Sequence, residues 1–144
     1  MKPFLVLFEP EIPYNVGSII RLCACFKTKL VIIRPCGFIW DIKKLKRSVM
    51  DYYDKCEIVF FNEFKEFKKQ HKGRILSTSS KNGTMYSELK YEKNDAILMG
   101  KESLGLPEEV FNQTDIKLNI PIFERSLNLS LSSAILLSNA ISNY

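Results

Sequence analysis

Asp95-Ala-Ile-Leu-Met-Gly100-Lys-Glu102-Ser-Leu-Gly105-Leu-Pro107 is the stretch on which the reading of this chain turns. Ala96 to Met99 is a short apolar run between turn residues, the pattern of a buried strand. Two glycines flanking a single glutamate follow at once. Glycine at such a junction lets backbone approach backbone, or backbone approach a ligand. In α/β proteins, ligands bind in loops beyond the carboxyl ends of strands. A second junction of this kind is Ile120-Pro-Ile-Phe-Glu-Arg125-Ser-Leu-Asn128-Leu-Ser130. Together the two loops predict a ligand cleft.

Working outward, strands are predicted at Phe4–Phe8, Leu30–Ile33, Ile58–Phe61, Ile75–Thr78, Ala96–Met99 and Leu118–Ile122. The loop Glu9-Pro-Glu-Ile-Pro-Tyr-Asn15-Val-Gly17 leads to a helix starting near Asn15 to Ser18, with Ile19, Ile20, Leu22, Cys23 and Phe26 as its apolar stripe. Asp41 is placed to cap a helix that turns Ile42, Leu45, Val49 and Tyr53 inward and Lys43, Lys44, Lys46 and Arg47 outward. Short helices are predicted at Glu63–Gln70 and Pro107–Phe111, and a closing helix at Leu129–Ile141. A polar loop spans residues 79–83. This alternation on short connections implies an α/β fold, a mostly parallel sheet with helices on both faces. The apolar last helix packs on its own sheet or against a second subunit.

The chain has 144 residues, 46% of them hydrophobic, enough for one domain with a sizeable core. Its 26% charged content excludes global disorder. A net charge of +5, from 21 basic against 16 acidic residues, favours an anionic partner, although the same excess suits a solvated surface. Cys23, Cys25, Cys36 and Cys56 have neither zinc-site nor redox spacing and read as reduced thiols of a cytoplasmic protein. There is no signal-peptide pattern and no run of membrane-spanning length. The lone histidine, His71, sits in a lysine-rich stretch, so no serine triad and no zinc cluster can be assembled.

Gly100-x-x-x-x-Gly105 is neither a dinucleotide fingerprint nor a phosphate loop. Glu102 could hold an amide, hydroxyl or cationic ligand, or act as a capping acid. Arg21 lies in an otherwise apolar helix near Asn15. It reads as a phosphate or carboxylate ligand or as a surface arginine. Arg125, Ser126, Asn128 and Ser130 could receive an anion at a helix start, or simply cap that helix.

Taken together these segments resemble the SPOUT superfamily of S-adenosylmethionine-dependent RNA methyltransferases. The chain is similar to the small single-domain tRNA 2′-O-methyltransferases that modify wobble nucleotide 34. The matching segments are residues 9–23, 35–41, 45–52, 100–107, 120–122 and 125–130, in the family's order. The resemblance implies one SPOUT domain over residues 1–144, with a C-terminal trefoil knot. It implies a homodimer with its active site near the subunit interface. It also implies S-adenosyl-L-methionine as methyl donor, cradled by Thr78, Gly100, Glu102, Gly105, Ile120, Ser126 and Leu127. Arg21, Asn15, Glu102 and Asn128 match the family's catalytic motifs, with a tRNA anticodon stem-loop as partner and neither metal nor membrane. The lysines after Asp41 would meet the RNA backbone. Leu104, Leu131 and Ser138 stand where the family often has arginine, asparagine and tyrosine, and its last helix continues further. A domain that binds the donor or RNA without efficient transfer, and a methyltransferase for another RNA position, are the competing expectations.

Overall fold

The computed structural model describes residues 1–79 and 81–144; Ser80, within the polar loop 79–83, lies outside the described residues. The strands are β1 (Phe4–Phe8), β2 (Leu30–Ile33), β3 (Ile58–Phe61), β4 (Ile75–Thr78), β5 (Thr84–Met85), β6 (Ala96–Met99) and β7 (Ile116–Asn119). They form one seven-stranded sheet in the order β3-β2-β1-β6-β4-β7-β5. Every pairing is parallel. The helices are α1 (Pro13–Phe26), α2 (Ile42–Val49), α3 (Phe64–Gln70), α4 (Glu108–Phe111) and α5 (Leu129–Ser142).

Near-continuous apolar runs suit strands buried on both faces. In β1, Leu5 and Leu7 point into a core shared with Val16, Ile19 and Ile20 of α1 and Leu136 and Leu137 of α5. Phe4, Val6 and Phe8 point the other way, onto Phe64 and Phe67 of α3 and Val110 of α4. The period of two in a strand thus sends alternate residues to different helical layers. Gly17 lets α1 approach α2 closely: a Cβ there would meet Ser48 Oγ and Val49 Cγ1 at 3.3 Å.

Several boundaries differ from the sequence expectations. α1 starts earlier, at Pro13, because proline suits the first helical position, where its missing N–H costs nothing. Asp41 caps α2 as expected, accepting from Lys44 N at 3.2 Å. That helix stops at Val49, since Met50 takes φ 54° and opens a 3-10 segment, Met50–Lys55, which carries Tyr53. The last strand is not Leu118–Ile122 but Ile116–Asn119, paired to β4. Pro121 has no N–H to give a ladder, so the chain leaves the sheet before it. The two-residue β5 has no apolar pattern to reveal it. It adds to the sheet beside β7, after Gly83 at φ 144°, where a Cβ would lie 2.5 Å from the Lys117 carbonyl oxygen.

A cleft at the carboxyl edge of the sheet

Because all strands run the same way, the loops after β1, β4, β6 and β7 emerge on one edge. The strand order reverses direction there, beside β1 and β6, the crevice position of open α/β sheets. These loops enclose a cleft of about 750 Å³. Its walls include Asn15, Thr78, Gly100, Glu102, Gly105, Ser126, Leu127 and Asn128, with Met99, Leu106 and Phe111 as apolar surface. Ile120 lines a smaller adjoining cavity of about 160 Å³, together with Thr78, Arg125, Ser126 and Leu127.

The β6 loop is a tight backbone fold. Gly105 N donates to Lys101 O at 2.9 Å, and Gly105 takes φ 69°. A Cβ on Gly100 would lie 2.5 Å from the Gly105 carbonyl carbon, so no other residue fits without moving main chain. Of the two uses of glycine expected at this junction, backbone meeting backbone is the one realised at Gly100.

Glu102 is spent on the protein itself. Its carboxylate accepts from Glu11 N at 2.9 Å and Ile12 N at 2.7 Å, and from Asn15 Nδ2 at 3.4 Å. Ile12 is the residue at the head of α1, and its own side chain caps nothing. The carboxylate therefore stabilises the positive end of α1 and satisfies amides that the helix leaves unpaired. Glu102 is thus a capping acid, but for a helix 90 residues away in sequence rather than for its own.

Asn15 links this carboxylate to the β7 loop. It is buried, and its Oδ1 accepts from Asn128 Nδ2 at 3.2 Å and from Ser130 Oγ at 3.2 Å. Asn128 in turn caps α5, accepting from Ser130 N at 2.8 Å and Leu131 N at 3.3 Å. The ordinary capping role is therefore filled while the Asn128 amide still faces Asn15. Glu102, Asn15 and Asn128 form one continuous polar chain across the floor of the cleft. Arg125, Ser126, Leu127 and Asn128 lie on the cleft wall.

Arg21 stands apart. It is exposed on α1 and does not line the cleft of this chain. Its guanidinium lies 4.8 Å from the centre of the Tyr52 ring, a cation–π contact that holds the side chain against the 3-10 segment. Tyr14 of α1, 76% exposed, Leu131 of α5, 59% exposed, and Leu104 of the cleft wall, 81% exposed, leave apolar surface open. All cysteines are free. Burial pushes the Cys36 thiol up from its ordinary value, and it pushes the Tyr91 phenol up to about 12. Among the described residues no cluster of His, Cys, Asp or Glu could hold a metal ion, and no helix is long and apolar enough to cross a membrane.

Sequence reasoning missed Glu11, Ser103 and the Lys101–Glu9 pair, which join the β1 loop to the β6 loop. No local spacing announces them, because the partners are 92 residues apart. The second acid of Glu9-Pro-Glu11, in the loop that leads into α1, was the available signal.

The family model described as "SpoU rRNA Methylase family" matches residues 2–138. A tRNA (cytidine(34)-2′-O)-methyltransferase of Yersinia pestis is 36% identical over 139 residues, covering 91% of this chain and 86% of the relative. One of Aeromonas hydrophila is 37% identical over 134 residues, with 91% and 86% covered. A structure solved for insight into "the 2-OH methylation of C/U34 on tRNA" superposes with a TM-score of 0.90 at 34% identity, covering 96% of this chain and 93% of its own.

Proposed function

Because this chain belongs to the SpoU rRNA methylase family, and within it to the tRNA (cytidine(34)-2′-O)-methyltransferases, we propose that it methylates the ribose 2′-hydroxyl of tRNA nucleotide 34, cytidine or uridine. The whole chain serves as one such domain in the cytoplasm, in keeping with its free thiols. The observation that carries the reading is the polar chain Glu102–Asn15–Asn128 on the floor of a strand-end cleft, in a fold that matches the C/U34 structure over nearly its full length.

The cleft suits S-adenosylmethionine. Its volume of about 750 Å³ is that of a small-molecule site. Apolar Met99, Leu106 and Phe111 offer surface to a base. Backbone groups of Gly100, Ser126 and Leu127, with Thr78 and Ile120 beside them, offer the hydrogen-bonding and packing cradle. Arg125 on the wall is a partner for a carboxylate. The close Gly100–Gly105 packing keeps that wall rigid. The donor supplies an electrophilic methyl group on a sulfonium.

The protein must orient the ribose hydroxyl and favour loss of its proton. We assign Arg21 to that hydroxyl or the adjacent phosphate. A guanidinium stays protonated, so it positions and stabilises charge rather than removing the proton. Glu102, Asn15 and Asn128 hold the head of α1, the helix that carries Arg21, against the cleft. Since Arg21 lies outside the cleft of its own chain, the site is completed by a second copy. The exposed Tyr14 and Leu131, on helices α1 and α5 that pack together, support a homodimer face on these helices. The exposed Lys43, Lys44 and Arg47 of α2 supply contacts to the RNA backbone of the anticodon stem-loop. A knotted C-terminal segment is part of the same proposal. Its support is β6 lying inside the sheet between β1 and β4, with α5 returning from outlying β7 to pack on α1.

The test is transfer of labelled methyl from S-adenosylmethionine to tRNA lacking 2′-O-methyl at nucleotide 34, with nucleotide mapping. Signal at nucleotide 34 that R21A abolishes is the expected result. Donor binding by a folded dimer with no transfer would overturn the proposal in favour of a binding protein. Transfer mapped elsewhere would show another RNA site.

A further inference from the structure

The loops after β1 and β6 exchange carboxylates. Glu102, in the β6 loop, accepts from the main-chain N–H groups of Glu11 and Ile12. Glu11, in the β1 loop, returns the contact: its Oε1 accepts from Ser103 N at 2.9 Å and Ser103 Oγ at 2.7 Å. Those bonds, the hydroxyl's first, hold the Glu11 carboxyl below its usual range. A third link joins Lys101 Nζ to Glu9 Oε1 at 3.2 Å. Glu9 reaches it from φ 44°, a backbone conformation that only surrounding contacts would hold in a glutamate.

These links are unequal. Glu102 lies on the cleft wall, and its contacts reach the head of α1 directly. Glu11 does not line the cleft, so it can influence a bound ligand only through Ser103. Beyond Glu102 the tip of the β6 loop is Ser103 and the exposed Leu104, which buries nothing to hold it down. The Lys101–Gly105 bridge lies within the loop; among the described residues, the contact from Glu11 is the hydrogen bonding that ties Ser103 to the rest of the fold. The Ser103 N–H and hydroxyl are both oriented by one acceptor oxygen, so the loop is held in one arrangement.

We infer that Glu11 and Ser103 are positioning residues that latch the donor-binding loop, 100–105, to the segment that launches α1. Filling of the donor cleft and the setting of the Asn15–Arg21 helix are thereby coupled. This rests on the reading of the cleft as the S-adenosylmethionine site.

The experiment measures S-adenosylmethionine binding by calorimetry, steady-state methyl transfer, and amide hydrogen exchange. The proteins are wild type, E11A, E11Q, S103A and E11A/S103A. E11A is expected to raise the donor Kd and KM about tenfold, the effect of one charge-assisted contact. Its kcat at saturating donor should stay within about threefold of wild type, because no reacting group is removed. E11Q keeps an acceptor for Ser103 N, and its amide can donate to Ser103 Oγ, so it should recover most of the affinity. The double variant should be no weaker than E11A, as expected for two ends of one contact. Exchange at the Gly105 amide should quicken in E11A while amides of β1 stay protected. E11A that binds donor as tightly as wild type would overturn the inference, as would fully additive losses in the double variant. Wild-type protein that binds no donor would instead overturn the reading of the cleft, and this inference with it.

Discussion

Removing the Glu102 carboxylate should loosen the whole cleft floor. The substitution Glu102→Ala strips acceptors from Glu11 N, 2.9 Å away, and Ile12 N, 2.7 Å away, and removes the longer contact from Asn15 Nδ2, at 3.4 Å. Bonds to a charged group contribute about 1.5–3 kcal/mol each, so the two short ones set a ceiling of about 3–6 kcal/mol. Ile12 is 43% exposed, and water can replace part of the hydrogen bonding there. Loss of the charge at the head of α1 adds about 0.3–1 kcal/mol. We expect a net loss of about 2–4 kcal/mol for E102A. E102Q should cost about 1–2 kcal/mol, because the amide keeps one acceptor but turns an NH2 toward a main-chain N–H. Urea unfolding at fixed protein concentration gives both values by linear extrapolation. The exposed Glu88→Ala, outside any helix, serves as control and should stay within about 0.5 kcal/mol. If E102A and E102Q both unfold like the control, Glu102 does not hold the head of α1, and the polar chain has no energetic meaning.

The two glycines of the β6 loop should respond differently. Gly100→Ala forces a Cβ to within 2.5 Å of Gly105 main chain, so donor affinity should fall at least tenfold, by calorimetry. Gly105→Ala meets no neighbouring atom and should cost only its positive φ, about 1 kcal/mol of stability by urea unfolding. Asp95 is 1% exposed at its side chain and accepts from Arg74 at 2.6 and 2.9 Å and from Glu92 N at 2.8 Å. D95A leaves the part-exposed guanidinium without its buried partner and should destabilise by about 3 kcal/mol, again by urea unfolding. His71 is stacked on Phe67, and burial holds its pKa below the ordinary value. The unfolded chain then takes the proton more readily than the folded one. Stability should therefore be full above about pH 6.5 and fall with pH until the lowered folded pKa is passed. Thermal unfolding of H71Q should lack that slope. Replacing Lys43, Lys44 and Arg47 with alanine should flatten the slope of log tRNA affinity against log salt. The expected change is about 0.7–0.9 for each phosphate that these side chains neutralise, read from binding titrations at several salt concentrations.

Periodicity and punctuation in the chain were sufficient for the layers. Apolar runs of four or five residues, separated by helical stripes on short connections, leave a parallel sheet covered on both faces as the arrangement that buries them. The same local chemistry located Asp41 and Asn128 as helix caps, because a cap and the amides it serves are close in sequence. It also placed Gly100 and Gly105 at a strand end, where a crowded backbone was to be expected. Periodicity could not mark β5, which buries too little to leave a pattern, nor end the last strand before Pro121 rather than after it.

The meaning of Glu102 was decided only by tertiary structure. Its sequence neighbours allow a ligand contact as readily as a cap, since the amides it serves belong to Glu11 and Ile12. Those residues meet it because β6 inserts beside β1, a pairing set by the burial of whole strands. The return contact from Glu11 to Ser103 has the same origin, as does the separation of Arg21 from the cleft that Asn15 enters on the same helix. Local sequence specifies what each short segment prefers, through forces that act over a few residues. Which polar groups face one another across the cleft follows from strand order, and strand order is settled by burial of apolar surface over the whole chain.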